Sequence, residues 1–167
     1  MRRLVLLLGL CAVTALPAAA QQTELFAGYS YLRLSNGTDV NLNGWNAAVE
    51  RELVGWFGIV ADISGHYGSP GGVSVNTLQA LFGPRLKVDT GLFEPFVHVL
   101  FGAARGSAGV FGSTSSDVAL GVAVGGGLDI GVGPVAWRAV QVDYLRTELF
   151  GATQNNTRVA TGVVLRF

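Results

Sequence analysis

The chain has 167 residues, enough for one domain, and is formally neutral at pH 7 with 11 basic and 11 acidic residues. Charged residues are 13% of the chain against the ~25% usual in globular proteins, while 50% are hydrophobic and the mean hydropathy is +0.44. With no basic patch and no acidic run, neither a nucleic-acid surface nor a charged disordered tail is expected.

Arg2 and Arg3 form a positive start, residues 4–16 are apolar, and Pro17-Ala18-Ala19-Ala20 ends in a small A-x-A pattern. This order predicts a cleavable signal peptide over 1–20, with cleavage before Gln21 and a mature domain over 21–167. A transmembrane helix needs about 20 apolar residues, and Pro17 interrupts this run too early. Cys11 follows Leu10, which is too bulky for a lipobox, so a lipoprotein anchor is disfavoured. Removing Arg2 and Arg3 takes the 11 basic residues to 9 against 11 acidic ones, a net charge near −2, and the mature chain has no cysteine.

Beyond residue 20 no long segment has the 3.6-residue period of a helix. Eight runs have instead about the length that a tilted strand needs to cross a bilayer. They lie at 24–34, 42–51, 57–67, 76–88, 93–105, 117–130, 135–146 and 157–167. Short connections at 53–56, 89–92 and 131–134 alternate with longer ones at 35–41, 68–75, 106–116 and 147–156, which are rich in Gly, Ser, Thr and Asn. Short periplasmic turns alternating with long extracellular loops are the pattern of membrane barrels, and the phase puts both termini on the periplasmic side. The expected fold is all-β: an eight-stranded antiparallel up-and-down transmembrane barrel.

The strand faces carry the same reading. In the sixth run Val118, Leu120, Val122, Val124, Leu128 and Ile130 share one face, opposite Ala119, Gly121, Ala123, Gly125, Gly127 and Asp129. In the eighth, Val159, Thr161, Val163, Leu165 and Phe167 oppose Arg158, Ala160, Gly162, Val164 and Arg166. A soluble lipocalin-like barrel would turn the apolar face inward around a ligand and cover the other with long polar residues. The second face here is mostly Gly, Ala and Ser, which suits the cramped interior of eight strands. The polar residues on it form the expected lumen network: Glu50, Asp62, Arg85, His98, Asp129, Gln141, Asp143, Arg158 and Arg166. Buried charges must be paired, and closing the sheet satisfies every backbone group in lipid.

Trp56, Phe57, Phe93, Trp137 and Phe167 lie beside the short turns, and Tyr31, Trp45, Tyr67 and Tyr144 lie nearer the long connections, as two aromatic girdles would. The segment 25–31 chooses no face clearly. Arg51, Arg105, Arg138 and Arg146 have lipid-facing parity, tolerable near strand ends where the side chain snorkels; a β-bulge is the other way to accommodate Arg138.

Gly28-Tyr29-Ser30-Tyr31, the run from Pro95 to Gly102, Gln141-Val142-Asp143-Tyr144 and the closing Gly162-Val163-Val164-Leu165-Arg166-Phe167 together resemble the small OmpA-like outer-membrane β-barrel domains. The resemblance covers the whole mature chain. It implies a bacterial outer-membrane protein, and a terminal Phe167 resembling the signal read by the barrel-assembly machinery.

No catalytic, cofactor or metal site is expected. Ser64-Gly65-His66 puts a hydroxyl and an imidazole on one face, but no third group completes a triad, and a lumen hydrogen-bonded pair is the simpler reading. The two histidines lack ligand spacing for a metal. Arg33, Arg105 and Arg146 fall at outer strand ends, where they would meet lipopolysaccharide phosphates. The expected function is a non-enzymatic envelope or surface-interaction role carried by the extracellular loops of a monomer. The alternatives are a small porin-like channel and a soluble ligand-binding barrel.

Overall fold

In the computed structural model, which describes residues 22–35, 39–110, 113–149 and 152–167, the period-two pattern forms eight strands. They are β1 (Thr23–Ser35), β2 (Asp39–Val54), β3 (Phe57–Gly68), β4 (Ser74–Lys87), β5 (Phe93–Val110), β6 (Ser113–Ile130), β7 (Val135–Leu149) and β8 (Ala152–Arg166). Each pairs antiparallel with its sequence neighbour, and β1 pairs with β8 from Glu24↔Arg166 to Ser35↔Asn155, so the sheet closes into a barrel. The Thr23 and Phe167 backbones exchange hydrogen bonds of 3.2 and 2.9 Å and extend that seam by one pair. The expected signal peptide and its cleavage point before Gln21 lie outside the described residues.

The periplasmic turns are tight. Gly91 (φ 92°) and Gly133 (φ 77°) take left-handed conformations that favour glycine, and the Asp89 carboxylate accepts the Gly91 N–H at 2.6 Å. At the other end the expected long loops are largely strand. Pairing runs out to Ser35↔Asp39, Gly68↔Val75, Val110↔Ser113 and Leu149↔Ala152, leaving a five-residue connection with one 3₁₀ turn, Pro70–Gly72, between β3 and β4. The physical reason is composition. Where a strand stands above the bilayer both its faces meet water, so it needs no apolar alternation and its Ser, Thr, Asn and Gly read as loop. The strands have 12 to 18 residues, more than the 9–11 that cross a membrane.

Large apolar residues point out, not in. Leu25, Val49, Ile59, Phe82, Val97, Phe101, Val122, Val142 and Val163 are 39–57% exposed, which removes the soluble-barrel alternative. Only lipid can cover so continuous a belt on a monomer. It is bounded by exposed Trp56, Phe93, Trp137 and Phe167 at the periplasmic end and by Tyr29, Trp45, Tyr67 and Tyr144 toward the other.

The segment that chose no face in sequence does so here because its aromatics divide. Phe26 turns inward (4% exposed) with Glu24, Ser30 and Leu32, while Tyr29 turns out and donates to the Asn43 Oδ1 at 2.5 Å. Where β1 and β8 meet, Gly28 faces Gly162, and a Cβ on Gly28 would lie 2.1 Å from the Thr161 carbonyl oxygen. The narrow bore coils these strands so tightly that the seam admits no side chain there.

Candidate functional site

The lumen is filled by one charged network, built in layers from the inward positions of all eight strands. At the periplasmic mouth the Lys87 ammonium (β4) reaches Glu24 at 3.0 Å, Glu52 at 3.1 Å and Glu50 at 3.7 Å. Arg166 (β8) spans the bore to Glu94 (β5) at 2.5 Å and lies 3.3 Å from Glu24.

In the next layer Arg85 donates to Glu50 Oε2 at 2.7 Å and contacts His98 Nδ1 at 3.2 Å. The Phe96 ring separates two cations, with the Arg85 guanidinium 4.2 Å and the Arg138 guanidinium 4.4 Å from its centroid. Arg138 also stacks on Phe26 at 4.3 Å. Its Nε and NH2 donate to the two oxygens of Asp129 at 2.8 and 2.9 Å, a bidentate fork, and its NH1 to Gln141 Oε1 at 2.8 Å.

Arg158 holds the middle. Its NH1 donates to Asp62 at 2.7 Å and Ser64 at 2.9 Å, and its Nε to Asp143 at 2.8 Å, joining β8 to β3 and β7. Asp143 also bonds His98 Nε2 at 2.7 Å and accepts from Gln141 at 2.8 Å, while Asn46 donates to Asp62 at 2.9 Å. Toward the outer ends of their strands Leu32, Leu42, Leu100 and Leu145 are fully buried and pack above this network.

Eight of the nine expected network residues, Glu50, Asp62, Arg85, His98, Asp129, Gln141, Asp143 and Arg158, thus sit at 0–3% exposure in a single connected cluster. Arg166 lies at the mouth, its side chain 10% exposed.

Two placements differ from the expectation. Arg138 is not at the lipid but buried (1% exposed), because register shifts between Leu128 and Asp129 and between Arg138 and Gln141 reverse its parity. Arg51 keeps the outward parity of Val49 expected of it, is half-buried, and donates to Thr23 Oγ1 at 2.9 Å. Ser64 and His66 are not each other's partners: Ser64 accepts from Arg158, and His66 Nε2 pairs with Ser30 Oγ at 2.8 Å, because only Gly44 of β2 stands between them in the register.

The sequence reading also missed Glu24, Glu52, Lys87 and Glu94. Three of them carried a parity signal, since Glu52 repeats the phase of Glu50, Lys87 that of Arg85 and Glu94 that of His98. No group of three or more His, Cys, Asp or Glu side chains fit to hold a metal occurs among the described residues.

Arg33, Arg105 and Arg146 are exposed on the outer surface of β1, β5 and β7. The register carries Arg105 through Leu78, Gly65 and Trp45 to Tyr29, four strands away on β1 and four residues below Arg33. With strands tilted by about 40°, each step between strands raises such a row by about 3 Å and each residue along a strand by about 2.5 Å. The two arginines therefore stand at nearly one height. Arg146, paired through Asn155 with Ser35, joins the same level. The three form an arc just outside the upper aromatic girdle.

No protein-family model matches the sequence, and no curated protein sequence matches it. Solved structures do match in fold. Neisserial surface protein A superposes with a TM-score of 0.71 at 13% identity, covering 87% of this chain and 97% of that one. The attachment invasion locus protein Ail of Yersinia pestis gives 0.67 at 16% identity, covering 89% and 100%. The N-terminal β-barrel domain of Pseudomonas aeruginosa OprF gives 0.54 at 12%, covering 88% and 97%. The chain therefore has the fold of the eight-stranded bacterial outer-membrane β-barrels, closed without an edge across the bilayer and carrying its apolar face outward.

Proposed function

We propose that this is a non-enzymatic protein of the bacterial outer membrane, akin to the OmpA-like barrel domains. It acts through its outer rim, on a bore that is sealed. The observation that carries this reading is the set of ion pairs spanning the lumen, Arg166 to Glu94 and Lys87 to Glu24 at the mouth and Arg158 to Asp62 in the middle. Each is made by strands well separated around the barrel, so a solute would have to break buried pairs in turn, and the leucines beyond them offer an ion no ligand. Planar-bilayer recordings of the purified protein are expected to show no unitary conductance. Steady channel steps would replace this reading with the small porin-like channel.

The rim supplies the partner. Three guanidinium groups at one level above the girdle match the phosphates of lipopolysaccharide, whose acyl chains the apolar belt would cover. The Arg33→Gln, Arg105→Gln, Arg146→Gln triple variant is expected to lose most of the lipopolysaccharide that co-purifies with the wild-type barrel, while keeping its heat-dependent shift on SDS gels. Undiminished co-purification with a normal shift removes lipopolysaccharide from the proposal. In this reading an assembly factor recognises Phe167, whose side chain is exposed and whose backbone pairs with Thr23.

A further inference from the structure

We infer that the outer part of the lumen holds one alkali-metal cation, ligated by neutral oxygens of β4, β7 and β8 and by the imidazole of β3. Five buried acceptors there have no hydrogen-bond partner among the described residues: His66 Nδ1, Thr77 Oγ1, Gln79 Oε1, Thr147 Oγ1 and Asn156 Oδ1. Their residues are 0–8% exposed.

The register gathers them. His66 pairs with Thr77, and Gln79 pairs with Ser64, two residues below His66. From Asp62 the inter-strand row runs through Leu81, Gly102 and Gly121 to Thr147 on β7, halfway round the barrel. At about 3 Å per strand step that row climbs about 12 Å, while His66 stands four residues, about 10 Å, above Asp62. Thr147 therefore faces His66 across the bore at nearly one level. Asn156, paired with Leu145 two residues below Thr147, joins them. An eight-stranded bore is just wide enough for side chains, so inward groups at one level meet. Small residues leave room between the two halves: a Cβ on Gly121 would meet only side-chain carbons, at 3.2–3.7 Å.

Charge selects the guest. Below this layer Asp62 and Asp143 share one cation, Arg158, whereas Glu50–Arg85 and Asp129–Arg138 are balanced pairs. His98 adds no charge, because Arg85 can only donate and so occupies the Nδ1 lone pair of a neutral ring, which gives its Nε2–H to Asp143. Both aspartates are ionised, since every oxygen accepts: Asp62 from Arg158 and Asn46, Asp143 from His98, Gln141 and Arg158. One negative charge is left over in a closed bore, and a buried charge needs a partner.

Uncharged hydroxyl and amide oxygens suit a hard monovalent cation, as rings of carbonyl oxygens do, and a single residual charge balances no more than one. With its proton on Nε2, toward Ser30, the His66 ring turns a lone pair to the same space. Leu34, Val40 and Val75 pack on the outer side of the buried core. The ion thus enters as the barrel closes, and between an apolar cap and the ion pairs it is held, not passed.

The test is urea unfolding of protein refolded into phosphatidylcholine vesicles in potassium, sodium or choline chloride at equal ionic strength. Choline is too large for the site. A ligand of the folded state alone stabilises it by mass action, so the unfolding equilibrium constant is expected to be at least tenfold lower in one of the alkali salts than in choline. Thr147→Val and Gln79→Leu each delete one ligand at nearly constant shape. Both should lose most of that salt effect, yet match or exceed the wild type in choline, where the deleted oxygen has no partner to lose. Crystals of the wild type grown in thallous acetate should show an anomalous peak between Gln79 and Thr147, which decides the matter if neither variant refolds. Coinciding curves in the three salts would mean that water alone meets these groups, and would overturn the inference. So would a salt effect that both variants keep, or an anomalous peak confined to other places.

Discussion

Replacing Arg158 by methionine is expected to cost about 3–5 kcal/mol of barrel stability, the range for removing one partner of a buried ion pair. Arg158 is fully buried and donates to two carboxylates on different strands, Asp62 and Asp143, and to Ser64. Methionine fills much of the volume but leaves both aspartates in a bore that water enters only by disrupting the packing. The cost comes from the stranded charges, not from the lost attraction. The triple variant Arg158→Met, Asp62→Asn, Asp143→Asn should therefore recover most of the loss, since neutralising a whole buried cluster is often close to neutral in energy. Urea titration of vesicle-embedded protein, scored by the folded and unfolded bands of unboiled samples, measures both. If the single variant unfolds at the wild-type urea concentration, Arg158 is not the keystone of the lumen. If the triple variant is no better than the single one, shape rather than charge was lost.

The second large effect is expected at the seam. Valine at Gly28 would place its Cβ 2.1 Å from the Thr161 carbonyl oxygen and 2.7 Å from Gly162 Cα, both backbone atoms that cannot rotate aside. Overpacking typically costs about 1–3 kcal/mol, and more where the backbone must move. Here the movement required would part β1 from β8, the one contact that closes the sheet. In lipid an unclosed edge leaves backbone groups unpaired, so the failure should be cooperative, with most of the Gly28→Val protein never reaching the heat-modifiable form during refolding into vesicles. Gly55→Ala is the control: an added Cβ there meets nothing within 4 Å, and it should refold like wild type. Equal refolding yields for the two variants would show that the seam has slack.

Much of this architecture was legible because a barrel is a repetitive object. The alternation of Val118, Val122 and Val124 with Ala119, Gly121 and Ala123 sets strand, period and lipid face together, since no other solvent would accept one side fully apolar and the other made of small residues. The same parity pointed Glu50, Asp62, Arg85, Asp143 and Arg158 inward before any contact was known. Which strand ends lie outside also followed from the order of short and long connections.

Three matters needed the folded chain. Arg138 reads as lipid-facing by strict alternation, and only the paired register shifts around it bring it to Asp129 and between the rings of Phe26 and Phe96. Partners within the lumen, such as Asp62 for Arg158 and Glu94 for Arg166, join strands far apart in sequence and depend on the shear with which the barrel closes. The outer strand ends, rich in Ser, Thr, Asn and Gly, look like loops because above the bilayer neither face is apolar. Whether such residues pair is set by the strands beside them and not by their own side chains. A closed barrel with a lipid face and a polar interior is written in the order of the residues, because solvent dictates alternation locally. Register, shear and bulges decided which charges meet, because those are properties of strands taken together.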